Sequence, residues 1–322
     1  MGSNIVYHYC SLDTFNLIIS NKTLRVSDIR KSNDSEELKW ISNGIIDSVI
    51  KYVLSNNTFC EKYHIDNNKI SFIESQLQRA INAVFVNNSR TMISLACCFS
   101  EVGDLLSQWR GYADDGNGIS IGINKKILEQ LNTYKFAYQF YKIEYSNKKQ
   151  QQFLNKHISD IVTAYAQANS DEITDKTFSD FIMDLILRMS TLLNDAPAFK
   201  NKCFSEEKEW RICIKTFLYN IINGSNFMEN TKEDIGYPEE DFNYSAQLSN
   251  GLIRYPISFS TRCNKLVPYV DLNFENIKNN FIKKIVIGPK CDVSVLDIQM
   301  LLASKGYDFD KIPIIHSSCT YR

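Results

Sequence analysis

The alternation of apolar and polar positions predicts that the chain opens as strand, helix and strand. Residues 4–10 alternate with period two, so His8 faces the same side as the apolar residues two positions before and after it. Ser11 then has the position of an N-cap for a short helix with one apolar face. Residues 23–27 follow as a second strand. A histidine on the apolar side of a strand is either a hydrogen-bonded core residue or part of a site.

Helical spacing dominates two later stretches of the chain. In both, apolar residues recur every three or four positions among polar ones. We therefore predict helical insertions over residues 35–90 and 147–200, within a single domain of residues 1–322. Inside the first insertion, the polar and Asn-rich residues 56–69 are predicted to form a loop.

Continuous apolar runs and shorter alternating runs predict the remaining strands. These lie at residues 91–99, 118–123, 136–145, 209–216, 252–259, 266–272, 283–287 and 312–316. A helix is expected at 292–304 and a long surface loop at 222–250. Because the strands cluster and do not alternate regularly with helices, the predicted fold class is α+β, with a mixed central sheet and inserted helices.

Composition narrows the classes of function. The chain has 322 residues, 44% hydrophobic, and a net charge of −1, so it lacks the overall basic charge typical of nucleic-acid-binding proteins. No apolar run approaches the ~20 residues that span a bilayer, and no secretory signal is visible. Nine cysteines without a CxxC pair favour a reducing cytoplasm over a disulfide framework. The four histidines are far apart and pair with no cysteine at zinc-like spacing, so no metal site is expected.

The segment SQWRGY brings an unusual set of side chains into a short helical stretch. Ser107, Trp109, Arg110 and Tyr112 lie between a buried strand that ends at Ser100 and a Gly-rich turn. Tryptophan, arginine and tyrosine within four residues suit a pocket that stacks a flat ring and holds an anionic group. The alternative is a packed corner in which Trp109 is the plug and Arg110 is solvated.

A second candidate lies in the segment EKEWR. By strand alternation, Glu209 and Arg211 share one face of a strand that is otherwise largely apolar. The two form either a structural ion pair or a catalytic carboxylate that its neighbour holds ionised.

Two further segments, NDSEE and the C-terminal Tyr321 and Arg322, are interpreted as structural features and not as functional sites. Asp34 and Glu36 in NDSEE could be ligands, but acids in a first turn beside a capping serine are typical of a helix start. Tyr321 and Arg322 are predicted to form a frayed end.

Together these segments resemble a known family. YHYCS, NDSEE, SQWRGYADDGNG, EKEWR, KIVIGPKC and the final YR look like the bacterial domain-of-unknown-function family 2971 (DUF2971), in order and rough spacing over essentially the whole chain. The SQWRGYA and EKEWR segments are the most specific, and Ser35 stands where the family often has proline.

The opening strand, helix and strand are also similar to ADP-ribosyltransferase-like folds, including DNA-modifying toxins. This resemblance implies a site for NAD. In it, His8 would hold the ribose, Tyr112 would stack on the nicotinamide, and Glu209 would be the late carboxylate. The other implied binding residues are Ser11, Arg25, Ser27, Ser100, Ser107, Trp109, Arg110 and Arg211.

The resemblance implies an enzyme that consumes NAD as its substrate, either an ADP-ribosyltransferase or an NAD glycohydrolase. The acceptor would be a protein or a nucleic acid, and the protein would act in the cytoplasm as a toxin or antiphage effector, without a metal and without a membrane. The alternative is a nucleotide-binding sensor that performs no chemistry and uses a pocket of Trp109, Arg110 and Arg211.

Overall fold

The chain folds as two compact units. A computed structural model describes residues 4–31, 40–85, 92–130, 138–167, 175–217, 253–262 and 264–321. Unit 1 comprises Met1–Lys31, Met92–Ile143 and Ser205–Arg322, and unit 2 comprises Ser32–Thr91 and Glu144–Phe204. The predicted insertions, 35–90 and 147–200, fall inside the ranges of unit 2, while the prediction of a single domain stays a prediction.

Unit 1 contains all ten described strands. They are β1 (Ile5–Cys10), β2 (Thr23–Asp28), β3 (Met92–Ser100), β4 (Ile119–Asn124), β5 (Tyr138–Lys142), β6 (Glu209–Phe217), β7 (Ile253–Arg262), β8 (Lys265–Asn273), β9 (Ile282–Ile287) and β10 (Ile314–His316). The described helices of this unit are α1 (Leu12–Asn21), α5 (Leu106–Tyr112), α6 (Lys125–Gln130), α9 (Lys278–Phe281) and α10 (Val295–Ser304). Ser11 caps α1 as predicted, because its side chain accepts a hydrogen bond from the Thr14 amide.

The strands form one mixed sheet in the order β10-β9-β4-β1-β3-β2-β8-β7, with β6 paired to both β3 and β5. Only the β10–β9 pair is parallel among the described strand pairs. β6 occupies one edge of β3 along its whole length, from Ser100 opposite Glu209 onwards. The other edge of β3 is shared, since β2 pairs at Ala96 and β1 pairs only at Ser100. The sheet therefore splits beside β3, and the predicted α+β class with a mixed sheet is confirmed.

One face of this sheet carries the main core of unit 1. Alternate residues of the central strands point to it, among them Val6, Leu95, Phe99 and Ile212, all at most 2% exposed. Helices α1 and α10 contribute Phe15, Ile18, Ile19, Ile298 and Leu302 to the same cluster. We call this the apolar face; hydrophobic burial on it accounts for the placing of the helices.

The opposite face has a smaller apolar cluster at one end. There, Trp109 of α5 packs edge-on against Tyr9 of β1, with ring centroids 4.8 Å apart. Ala113 and Val286 complete this cluster. We call this side the polar face, because the residues beyond the cluster are largely hydrophilic.

Unit 2 consists of helices around a core of its own. They are α2 (Trp40–Ser55), α3 (Asn57–Tyr63), α4 (Asn67–Phe85), α7 (Asn147–Gln167) and α8 (Asp175–Asn194). The prediction of a loop over residues 56–69 is wrong. Asn56 caps α3 by accepting a hydrogen bond from the Phe59 amide, and Phe59 and Tyr63 are buried in the helical core. The Asn-rich composition indicated a loop, whereas one asparagine starts a helix. Asp34, Glu36 and the predicted loop 222–250 lie outside the described residues.

Candidate functional site

His8 faces the apolar side of the sheet. It pairs with Ile121 of β4, whose side chain belongs to the main core. Its Nδ1 lies 3.0 Å from the carbonyl oxygen of Cys98, and this geometry requires Nδ1 to carry the proton. The bond falls where β1 has already diverged from β3, so the imidazole replaces a missing strand partner. Burial lowers the pKa of His8, against the opposing effect of the Cys98 carbonyl, so the neutral ring is favoured.

Five of the other predicted residues lie on the polar face. The register pairs Tyr7 with Ser100 and Ser100 with Glu209, so the three side chains project to the same side. On β2, Ser27 pairs with Ala96 of β3 and therefore shares this side, as does Arg25 two residues earlier. The structure thus brings Arg25, Ser27, Ser100, Glu209 and Arg211 onto one face, and it places His8 on the other.

Glu209 and Arg211 form a buried bidentate ion pair. Arg211 Nε lies 2.5 Å from one carboxylate oxygen of Glu209, and its Nη2 lies 3.0 Å from the other. The two residues are only 4% and 1% exposed. Such a fork fixes the plane of the carboxylate and favours its ionised form. Loss of either partner would leave a charge in a desolvated position.

Glu207 connects this region to α5. Its carboxylate accepts a hydrogen bond of 3.0 Å from the Tyr112 hydroxyl, and its carbonyl accepts one of 2.7 Å from Ser100 Oγ. Glu207 is buried, whereas Tyr112 is 37% exposed. The hydrogen bond to Glu207 therefore fixes the orientation of a ring that is partly open to solvent. Sequence reasoning missed Glu207; the cluster of Glu206, Glu207 and Glu209 at the start of β6 was the available signal.

Trp109 is the plug of a packed corner, which is the alternative that the sequence left open. Its side chain is 0% exposed, so it presents no ring face to a ligand. Its indole Nε1 donates to Asp104 Oδ1 at 2.7 Å. This hydrogen bond satisfies the one polar atom of a buried tryptophan.

Asp104 is the centre of a hydrogen-bond network that the sequence did not reveal. Its Oδ1 also accepts from Ser317 Oγ at 2.5 Å, and its Oδ2 accepts from the amide and the hydroxyl of Ser318, both at 2.7 Å. Burial raises the pKa of Asp104, but the hydrogen bonds from Ser317, Trp109 and Ser318 outweigh it and hold the pKa at about 2. The carboxylate is therefore ionised at neutral pH. Ser317 and Ser318 lie more than two hundred residues away in sequence, so no local pattern indicates them.

Residues 317–321, which we call the strap, continue across to the turn after α5. Tyr321 donates from its hydroxyl to Asp115 Oδ1 at 2.7 Å, so it packs against the fold and does not fray as predicted. Lys290 forms an ion pair of 2.6 Å with Asp115 and lies 4.2 Å from the centre of the Tyr321 ring. Arg110, which is exposed, has its guanidinium carbon 5.9 Å from the same ring centre. Arg322 lies outside the described residues.

The remaining predicted residues have local contacts. The guanidinium carbon of Arg25 lies 3.7 Å from the centre of the Tyr269 ring, and its side chain is exposed. Ser107 Oγ is buried and has no hydrogen-bond partner among the described residues. Ser11 is the cap of α1.

Metal-binding clusters and membrane-spanning helices bear on the class of function. Within the described residues, no group of three or more His, Cys, Asp or Glu side chains is arranged to hold a metal ion. None of the described helices has the length and apolar character that crossing a bilayer requires.

Among known proteins, the chain matches the model of one family. Residues 108–212 match the model of a family described as a protein of unknown function (DUF2971), so the predicted resemblance to this family is confirmed over that range. The range includes most of α5 and the start of β6, and with them Trp109, Tyr112, Glu209 and Arg211. No curated protein and no solved structure matches the chain.

Proposed function

We propose that the protein is an enzyme that cleaves the N-glycosidic bond of NAD and transfers ADP-ribose to water or to an acceptor. The observation that carries this proposal is the carboxylate of Glu209, buried and paired with Arg211 on the same sheet face as Ser100 and beside the Glu207 residue that anchors Tyr112. A fixed anion and an aromatic ring held by a hydrogen bond, both of which suit an NAD site, support the proposal.

The chemistry assigns each group a role. The bond between the ribose C1′ and the nicotinamide nitrogen breaks, and its electron pair leaves with nicotinamide. C1′ then gains a bond to the oxygen of water or of an acceptor, which releases its proton. Positive charge develops at C1′ between these events, and the proposal assigns its stabilisation to the electric field of the buried Glu209 carboxylate. Because Arg211 already fixes the carboxylate, no free energy is needed to reorient it when the charge at C1′ develops.

Tyr112 supplies the leaving-group contact in this proposal. Its ring is partly exposed while its hydroxyl is held by Glu207, so it offers a face in a fixed orientation on which nicotinamide stacks. Arg25 is exposed on the same sheet face and would bind the pyrophosphate. His8 makes no direct contact with NAD in this proposal, because it faces the other side of the sheet.

The test is nicotinamide release from NAD by the purified protein. Glu209→Gln is expected to lower the turnover by at least ~100-fold, the scale of a lost electrostatic contact in a transition state. Glu206→Gln is the matched control, since Glu206 is an exposed glutamate three residues away. Equal turnover in the wild type and Glu209→Gln would contradict the role of Glu209. Because Glu209→Gln leaves Arg211 without its charge partner, a thermal melt must show that the variant folds.

Tyr112 provides a second and independent arm of this test. Tyr112→Ala is expected to slow nicotinamide release, because it removes the ring. Tyr112→Phe keeps the ring and loses only the hydrogen bond to Glu207, so it should slow release less. If Tyr112→Ala turned over NAD as fast as the wild type, stacking on this ring would have no part in the reaction.

We further propose that this activity belongs to the bacterial cytoplasm, where NAD is available, and that it serves as a toxin or antiphage effector. The cysteines among the described residues are free thiols, which suits a reducing compartment. Expression of the wild type in bacteria should slow growth and deplete NAD, and Glu209→Gln should do neither. Normal growth with normal NAD under wild-type expression would contradict the effector role.

The second candidate function is a nucleotide sensor that performs no chemistry. It is favoured by the Glu209–Arg211 pair itself, since two mutually satisfied buried charges are typical of a structural ion pair. Trp109 and Arg211 are 0% and 1% exposed, so the binding surface would use the exposed Arg110 and Tyr112 instead. Calorimetric titration with ADP-ribose tests it. Binding without any nicotinamide release would favour the sensor over the enzyme.

A further inference from the structure

The strap crosses α5 and is tied down on both sides of that helix. On the side before α5, Ser317 and Ser318 donate three hydrogen bonds to the Asp104 carboxylate. On the side after α5, Tyr321 donates to Asp115. Between the two ties, Arg110 of α5 lies near the Tyr321 ring. A helix of seven residues is thus held by contacts at both of its flanks.

Asp104 also holds α5 from within. The same carboxylate that binds the strap accepts the indole Nε1–H of Trp109, in the middle of α5. Trp109 is fully buried and packs against Tyr9, whose hydroxyl accepts from the Leu105 amide at 3.0 Å. The position of Trp109, and with it the turn of helix that leads to Tyr112, therefore depends on this carboxylate as well as on the packing against Tyr9.

We propose that Asp104 is a positioning residue that uses the strap to fix α5 and, through α5, the ring of Tyr112. The strap is then a separable latch: it can open while the sheet stays folded. Hydrogen bonds to an ionised acceptor are the strong class, so their loss should open the strap before it unfolds the core. The catalytic part of this inference rests on the proposed function, whereas the latch itself is tested without any turnover.

Cys319 is a built-in reporter of the latch. It lies in the strap, partly buried, with its thiol 3.4 Å from Asp104 Oδ1. The full chain is treated with iodoacetamide, and the alkylation of each cysteine is followed by peptide mass spectrometry. Cys97 and Cys213 report on the core, since they are 3% and 1% exposed.

Two variants open the latch from opposite ends. Asp104→Asn is expected to speed the alkylation of Cys319 at least tenfold, while the core cysteines stay protected. Because this variant also changes the charge beside the thiol, Tyr321→Phe is the second variant: it breaks the tie to Asp115 far from that charge. It should speed alkylation severalfold. Tyr52→Phe in unit 2 is the matched control and should leave the rate unchanged.

The outcomes separate the latch from general destabilisation. If Cys319 is alkylated at the wild-type rate in both variants, the strap is not a latch and the proposal fails. It also fails if Cys97 becomes reactive in step with Cys319, because the strap then opens only when the core unfolds.

The catalytic readout completes the test. Asp104→Asn should lower kcat for nicotinamide release more than it raises KM, since a mispositioned ring mainly harms the transition state. In a Tyr112→Ala background the same substitution should have little further effect, because Asp104 acts through that ring. Additive losses would overturn the positioning role. If the wild type releases no nicotinamide, the proposed function fails while the alkylation result still decides the latch.

Discussion

The two faces of the unit 1 sheet come from alternate residues of the same strands, yet their stability has different sources. On β6, Ile212 points to the apolar face and its neighbour Arg211 to the polar face, and both are almost fully buried. The isoleucine is stabilised by transfer from water and by packing. The arginine is stabilised by its bidentate pairing with the Glu209 carboxylate, and burial by itself would disfavour it.

This difference separates residues that tolerate change from residues that do not. An apolar face accepts volume-conserving substitutions, because many contacts each contribute a little. A buried ion pair fails as a whole when one member is removed. On the polar face, the loss of a single side chain is therefore less well tolerated. The candidate site lies on this face.

The largest effect is expected from Arg211→Met. It leaves the Glu209 carboxylate buried without its bidentate partner, and we expect a loss of ~3–5 kcal/mol in the free energy of unfolding. Ile212→Val, one residue along and on the opposite face, should cost only about 1 kcal/mol. Urea denaturation followed by circular dichroism measures both. Equal losses would erase the distinction between the faces.

A double variant sharpens the same comparison. Glu209→Gln combined with Arg211→Met removes both charges and should recover part of the stability that Arg211→Met loses. If the double variant is no more stable than the single one, the cost of Arg211→Met does not come from an unpaired carboxylate.

A smaller effect is expected from His8→Phe, which tests the imidazole that β1 places on the apolar face. The substitution leaves the Cys98 carbonyl without the bond from Nδ1, which should cost about 1–3 kcal/mol. His316→Phe is the control, since His316 is exposed.

The titration of His8 predicts how the stability of the wild type changes with pH. Because burial lowers the pKa of His8 in the folded state, the unfolded chain binds more protons below about pH 6.5. The free energy of unfolding should therefore fall as the pH drops through that region, and His8→Phe should flatten the dependence. An unchanged slope in His8→Phe would contradict this assignment.

Tyr112→Phe should change the stability by no more than about 1 kcal/mol, because its hydroxyl belongs to a partly exposed ring. Thermal melts of the variant and the wild type measure this directly. A much larger loss would mean that the Tyr112–Glu207 bond supports the polar face as strongly as the ion pair does.

The last expected effect concerns acid pH, through the titration of Asp104. Its pKa is lowered to about 2, so the stability that its ionised form contributes is complete above the unfolded value near pH 4. This contribution is lost as the pH falls from about 4 toward 2. Asp104→Asn should remove this part of the acid dependence, which urea denaturation at a series of pH values detects. Identical acid profiles would contradict the assignment.

Local signals in the sequence predicted most of unit 1. The cap at Ser11, the strand that became β3 and the shared face of Glu209 and Arg211 all follow from neighbours within a few residues. Periodicity and capping are short-range rules, so they succeed where the determining contact is close in sequence. They failed at Asn56 because the same residue type starts helices and fills loops.

The contacts of the candidate site depend on long-range pairing. Asp104 meets Ser317 and Ser318, and Arg25 lies over Tyr269. Neither pair has any signature within its own segment, since an aspartate after a strand or an arginine within one has many possible partners. The separation of His8 from Glu209 likewise follows from strand register and not from either motif.

The pairing of β3 with β6 also governs how the protein reaches this structure. β3 ends at Ser100 and its full-length partner begins at Glu209, so the centre of the sheet forms only after a long segment has closed into a loop. The entropic cost of closing a loop rises only slowly with its length. However, the chain loses this entropy before any contact between the strands compensates the loss. We therefore expect the formation of this pair to limit the refolding rate of unit 1, and substitutions in β3 that weaken it to slow folding more than they speed unfolding.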